Sequence, residues 1–303
     1  MIKGLAITPP VLGRISIGRI VEKHGKRLPE KDDQFTITTQ VQNKDGWVLH
    51  PHDEALRKAA GSEKLRRIPV RMLFNAPDLN LRAEYSLFDR SSGRPLCVGN
   101  GETCRRNLKD GVQTLPCPSP NSCELAKGGA CKLYGRLNVK IGDDDELGTF
   151  IFRTTGFNSI RTLAARLSYY QAVSGNRLAS LPLELRLRGK STTQSHRAPI
   201  YYVDLCIREG IALEAAITEA TTLDTKRMEA GFDQKSLDEA ARQGFDNSSF
   251  EESAEELTEI LEEFFAEGTD TTEPSGTVRT LPPQGKPGLK EKLEQRTTQS
   301  GTT

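Results

Sequence analysis

The sequence predicts an α+β protein with an antiparallel, sheet-rich core, C-terminal helices and a disordered tail. Three observations carry this prediction. Short runs of alternating apolar and polar residues recur from the N-terminal part to about Ile207. Five cysteines, Cys97, Cys104, Cys117, Cys123 and Cys131, fall within 35 positions of a stretch rich in Gly, Pro, Asn and Ser. Beyond Ala212 the alternation stops, helix-forming sequence takes over, and the chain ends in a Thr-, Pro-, Gly- and Gln-rich stretch. The expected organisation is a core domain over 1–210 with a cysteine insertion at 97–131, a helical acidic region over 211–267 and a disordered tail over 268–303.

Each element has a local reason. Ile15 and Ile17, in Gly13-Arg-Ile-Ser-Ile-Gly-Arg-Ile-Val, fall on strand-like positions, and Phe35-Thr-Ile-Thr-Thr-Gln-Val repeats the period of two. Pro51 to Arg67 reads as a helix that Gly61 interrupts. Val70, Met72 and Phe74 share one face of a strand, and Tyr85-Ser-Leu-Phe is another. Gly135-Arg-Leu-Asn-Val-Lys-Ile resumes strand character directly after the last clustered cysteine, so the cluster reads as an insertion between two strands of one sheet. Thr149-Phe-Ile-Phe-Arg-Thr-Thr is a strand, and Asn158 or Ser159 can cap a helix to about Val173 whose apolar face is Ile160, Leu163, Leu167 and Tyr170. Leucines at 181, 183, 185 and 187 put Glu184, Arg186 and Arg188 on the opposite face of a strand. The strand Ile200–Ile207 puts Tyr202, Asp204 and Cys206 on one face, which makes Cys206 a packed strand residue. Phe250, Leu257, Leu261 and Phe264 form the apolar stripe of an acidic helix.

Clustered thiols in a turn-rich segment bind metal, form disulfides or stay unpaired. The N-terminus has neither an apolar h-region nor a small-residue cleavage site, and no apolar run approaches the roughly 18 residues of a membrane span. A cytoplasmic location is expected, where thiols stay reduced, and metal is the expected use. Zn²⁺ takes four thiolates tetrahedrally, and Pro116, Pro118, Pro120, Asn121 and Gly128-Gly129 supply the turns that gather them. The spacings, Cys-x5-Cys and Cys-x7-Cys, differ from the Cys-x2-Cys of common fingers. Cys117, Cys123 and Cys131 form one group of ligands, and the fourth is Cys97 or Cys104. The expectation is one structural Zn²⁺ per chain that stabilises the loop insertion, because four thiolates leave no open position for water. An iron–sulfur cluster uses the same ligand type and is the alternative metal.

Net charge is only +1, but it is unevenly spread. Residues 151–200 hold eight Arg and Lys against the single acid Glu184, whereas 250–267 hold eight glutamates and no base. Segregation of this kind suggests a polyanion-facing core and an acidic appendage. Arg105, Arg106, Lys132 and Arg136 beside the cysteines, with Arg161 and Arg166 further on, are the candidate nucleic-acid contacts. Tyr134, Tyr169 and Tyr170 either stack unpaired bases or belong to the core.

Several segments resemble a known family: Arg67-Ile-Pro-Val-Arg-Met-Leu-Phe-Asn, Cys97 with Gly101-Glu102 and Arg105-Arg106, Pro116-Cys117-Pro118 with Cys123, Cys131-Lys-Leu-Tyr-Gly-Arg-Leu-Asn-Val, and Thr154-Thr-Gly-Phe-Asn-Ser-Ile. Together they are similar to the recombination directionality factor-like proteins of phages and integrative or conjugative elements. The resemblance covers about 1–210. It implies an accessory protein that binds DNA, a site-specific recombinase or both, and it tilts the fourth ligand toward Cys97. It does not imply catalysis. Two other functions stay open on the residues. His50, His52 and Asp53 could hold the metal of a hydrolase acting on nucleic acid, although an exposed turn before a helix is the simpler explanation of them. The acidic helix could make the chain a protein–protein adaptor.

Overall fold

Apolar alternation in the first third of the chain folds into long paired strands, and the remaining elements are built around them. The computed structural model describes residues 8–23, 26–44, 46–142, 147–191, 193, 197–245 and 264, with backbone alone at 19–23 and 26–32. In chain order the elements are β1 (Val11–Lys23), β2 (Lys26–Asn43), β3 (Gly46–Leu49), α1 (Pro51–Ala60), β4 (Arg67–Val70), α2 (Pro77–Asn80), β5 (Leu81–Phe88), β6 (Pro95–Gly99), β7 (Thr103–Leu108), β8 (Gly111–Pro116), β9 (Cys131–Val139), β10 (Thr149–Thr154), α3 (Phe157–Val173), β11 (Leu183–Lys190), β12 (Ile200–Ile207), α4 (Leu213–Glu229) and α5 (Gln234–Phe245). Three short 3-10 turns lie at Pro120–Ser122, Glu124–Gly129 and Leu178–Ser180.

The class is α+β, as expected, with two sheets among the described residues. The larger has nine strands in the order β3-β2-β1-β10-β9-β5-β6-β7-β8, and the smaller has three in the order β12-β11-β4. The expectation of an antiparallel core needs one amendment. β1 and β10 pair in parallel, Arg14 opposite Ile151, which makes the large sheet mixed. The two strands are far apart in sequence, and a crossover of that length makes a parallel neighbour possible.

Ile15, Phe35, Ile37, Leu137, Val139, Phe150 and Phe152 of the large sheet form one core with Ile68, Val70, Leu183, Leu185, Val203 and Leu205 of the small one. Leu163 and Leu167 of α3 and Ala216 and Ala220 of α4 complete it. Arg71 and Lys140 exchange backbone hydrogen bonds of 3.1 and 2.8 Å, which ties the end of β4 to the end of β9. Gly135 lets α3 approach β9. A Cβ there would lie 2.7 Å from Cγ1 of Ile160. The predicted apolar stripe of α3 is the face that is buried, with Tyr170 half-buried at its end.

α1 stops where the sequence says it should. Pro51 occupies the first turn, the His50 ring accepts the His52 N–H, and Gly61 adopts the left-handed conformation at φ 58°. Asp53 is the anchor of this helix. Its carboxylate accepts the Ile37 N–H at 2.8 Å and the Arg57 side chain at 2.6 Å, joining α1 to β2. At the other end of the described chain, the Asp238 carboxylate of α5 accepts the N–H groups of Asn75 and Ala76, and the Phe245 ring meets Phe74 edge-on.

The cysteine region differs from the expected loop insertion. Cys97 and Cys104 sit on strands, and β6, β7 and β8 extend the large sheet to its edge. β7 and β8 are polar and mostly half-buried or exposed, so no apolar alternation announced them. Apart from Phe264, the acidic segment 246–267 and the tail 268–303 lie outside the described residues, as does His196. Phe264 is buried against Phe88 and Tyr134.

Asp53→Ala leaves the buried Ile37 N–H without its acceptor and removes the carboxylate that pairs with Arg57, which keeps its bonds to Gln34 and the Phe35 carbonyl. The expected cost is about 2–4 kcal/mol, seen as a lower urea midpoint with an unchanged slope.

Candidate metal centre

Strand register gathers the thiols. Leu87 of β5 lies opposite Cys97 of β6 on one side and Cys131 of β9 on the other. Across β6 and β7, Cys97 faces Arg106 and Gly99 faces Cys104. Residues directly opposite one another project to the same face of a sheet. Cys131, Leu87, Cys97, Arg106 and Cys104 therefore share one face of the large sheet. This follows from pairing between strands, which is why sequence spacing looked irregular.

Cys117 and Cys123 arrive from the loop beyond β8. The Cys117 N–H donates to the Glu102 carbonyl at 2.8 Å, which fixes the chain as it leaves the strand. Ser119 holds a φ of 65°, the first 3-10 turn leads to Cys123, and the second leads on from it toward Cys131 at the start of β9. All five cysteines line one small cavity of about 20 Å³, closed by Tyr85, Leu87 and Leu125. That is space for one water-sized occupant. Gly99 makes room for the cluster. A Cβ there would lie 2.7 Å from the Cys104 Cβ, 2.9 Å from the Thr103 carbonyl and 3.1 Å from the Cys117 Sγ.

The five are not equivalent. Cys97, Cys117, Cys123 and Cys131 are half-buried, whereas Cys104 is 3% exposed and its Sγ lies 3.8 Å from the Pro116 carbonyl. Burial, with the repulsion of the surrounding thiols added to it, pushes the Cys131 thiol up to about 12. Burial, then the hydrogen bond and charge of Cys97, push Cys104 up to about 11. Arg106 hydrogen-bonds to Cys97, and this contact raises its own pKa. All six cysteines are free. Among the described residues, no group of three or more His, Cys, Asp or Glu side chains forms a ready-made metal site. The donor chemistry nonetheless suits a thiophilic dication: five thiols line one small space, and Gly99 has no Cβ to fill it.

The candidate nucleic-acid residues separate into different surroundings. Arg106 turns into the thiol cavity. Arg105 is half-buried on β7. Lys132 donates to the Phe264 carbonyl at 3.0 Å, and its burial lowers its pKa. Arg136 is 9% exposed and donates to Glu84 at 2.9 Å, within a row of Arg82, Arg136 and Arg153 across β5, β9 and β10. Arg161 and Arg166 share a second cavity along α3. Of the three tyrosines, Tyr134 is buried, Tyr170 accepts the Ile207 N–H and Tyr169 is 67% exposed. His50, His52 and Asp53 serve the start of α1, as described above, with the His50 ring edge-on to Phe150 at 4.9 Å. The role of Gly99 beside the thiols has no signal in the sequence other than its place two residues after Cys97.

Residues 12–208 match the Gp3-like family, described as recombination directionality factor-like. The chain belongs to this family. The match runs from β1 to the end of β12, so both sheets, the thiol cluster and α3 lie within it. Membership ties this recombination directionality factor-like protein to DNA recombination. No curated protein and no solved structure matches the chain. No helix among the described residues is long and apolar enough to cross a membrane.

Gly99→Ala forces its Cβ against Cys104 and Cys117. The expected result is a loss of about 1–3 kcal/mol together with faster reaction of the clustered thiols with a disulfide reagent, compared with wild type under the same conditions. A pH dependence also follows. In chelator-treated protein the folded state holds Cys131 and Cys104 protonated well above the ordinary value of 9.0. The unfolded chain therefore releases these protons first, and the stability they contribute is complete below about pH 9 and lost as pH climbs toward 11–12. Urea midpoints at pH 8 and 10 should show this decline, and Cys131→Ala should make it shallower.

Proposed function

We propose that this chain is a non-enzymatic accessory protein of mobile-element DNA recombination, stabilised by one Zn²⁺ and acting on DNA, on a site-specific recombinase or on both. The observation that carries it is the convergence of five cysteines from β6, β7, β9 and the loop after β8 on one ion-sized cavity, inside the region that matches the family. Cys97, Cys117, Cys123 and Cys131 would hold the ion. Cys104 is the thiol left out of the set, since it is the most deeply buried of the five and its Sγ has the Pro116 carbonyl within reach.

Bound there, the ion would neutralise thiolates that otherwise repel one another, and its uptake would release protons. The residues themselves do the rest. β8 contributes almost nothing to the core, and its attachment depends on β7 and on the loop that Cys117 and Cys123 pin. With that edge fixed, Arg105 is held at a set position on β7 for a partner. A reducing cytoplasm would keep the thiols available.

Elemental mass spectrometry of purified protein tests this directly. About one zinc per chain is expected in wild type and in Cys104→Ser, and a loss of most of it in Cys97→Ser. Zinc retained in Cys97→Ser but lost in Cys104→Ser would exchange the two roles. Wild type without metal, purified in the absence of chelator, would overturn the zinc centre.

A further inference from the structure

The small sheet ends at β12, and α3 lies along that strand. The Ser159 hydroxyl accepts the Val203 N–H at 3.1 Å, and the Tyr170 hydroxyl accepts the Ile207 N–H at 3.2 Å. With Ile160, Leu163 and Leu167 turned into the core, the opposite stripe of the helix faces outward: 158, 161, 162, 165, 166 and 169, at helical spacing. This stripe, with Lys190 of β11 and Tyr202 of β12, lines a groove of about 360 Å³. The volume lies within the range of small-ligand sites.

The lining has a definite chemistry. It contains Arg161, Arg166 and Lys190 and no carboxylate. Arg161 and Lys190 are exposed. Lys190 donates one hydrogen bond to the Asn158 side chain at 2.6 Å, which positions an ammonium that has two more N–H groups to give. Arg166 is braced from below. Its Nε donates to the buried Asp204 at 3.0 Å, and Arg188 donates to the same carboxylate at 2.7 Å. Two guanidinium groups on one carboxylate leave a positive excess. Burial opposes ionisation of Asp204, but the two arginines outweigh it and keep its pKa below the usual carboxylate range. Tyr169, 67% exposed, and half-buried Tyr202 add aromatic surface to the same groove.

Cations set for phosphate beside accessible aromatic rings, with no acid in the lining, suit one kind of ligand. It has a phosphate and a flat ring whose face is free. In a duplex the base faces are stacked on one another, whereas an unpaired strand offers them to aromatic side chains. We infer that the groove between α3 and the β11–β12 pair binds a nucleotide unit of an unpaired nucleic-acid strand, with phosphate on Arg161, Arg166 and Lys190 and the base against Tyr169. This site rests on the recombination role proposed above and names the form of nucleic acid it would engage.

The test uses the full chain and fluorescence anisotropy with a labelled oligothymidine about 12 nucleotides long, beside a duplex of the same length. Wild type should bind the single strand more tightly than the duplex. Tyr169→Ala should weaken it roughly 5- to 150-fold, the range measured for one base on one ring, and Tyr169→Phe should not. Arg161→Ala should flatten the salt dependence by about 0.7 in log–log slope for each phosphate contact removed. Both side chains are exposed, so melting temperatures should match wild type and exclude misfolding. Thymidine monophosphate at equal nucleotide concentration should displace little, and complete displacement would assign the groove to free nucleotides and overturn the strand. Preference for the duplex, or Tyr169→Ala binding like wild type, overturns the groove while leaving a nucleic-acid role elsewhere on the chain. Failure of wild type to bind either oligonucleotide removes DNA from the proposed function as well.

Discussion

The antiparallel pairing of β9 with β10 on one side and β5 on the other is the constraint on which the other features depend. Its C-terminal half carries Leu137 and Val139 into the common core, and its first residue is Cys131. One strand thus belongs to the apolar centre and to the thiol cluster. Because Leu87 registers against Cys131 and Cys97 together, a slip of one residue between β5 and β9 would send Cys131 to the other face. Core packing at Leu137 and Val139 therefore sets the position of the sulfurs, although it touches none of them.

The sequence was most informative where a pattern is local. The stripe Ile160, Leu163 and Leu167, the stop at Gly61 and the alternation from Leu183 to Leu187 all depend on neighbours along the chain, and each appears in the fold. The parallel neighbour of β1 and the strands β7 and β8 were not legible. The first is a long-range pairing, and the others expose too much of both faces to need alternation. The cysteine types pointed to one site, but their gathering on one face is a matter of register that no spacing rule contains. The groove along α3 shows the opposite case. Its helical half was present in the sequence as the complement of the apolar stripe, and Lys190 and Tyr202 could be added only once β11 and β12 were paired.

Clusters of positive charge serve two different ends in this molecule. Arg82, Arg136 and Arg153 stand opposite one another across three strands, where like charges repel. Glu84 offsets part of this by accepting from both Arg82 and Arg136. These arginines are framework. Arg161 and Lys190 are exposed, and Arg166 is held by a carboxylate that is only 3% exposed. Counting basic residues along the chain merges these groups, whereas burial and partners separate them.

The hydroxyls of Ser159 and Tyr170 on the β12 edge have a consequence for how the molecule behaves among its own copies. An uncovered edge strand is a template on which another chain can add a strand, and it is a common origin of aggregation and domain swapping. Here two of the donors such an invading strand would need are already taken by side chains of α3. The small sheet is closed to growth at that end, and a neighbouring molecule that reaches it meets the side chains of a helix in place of open backbone.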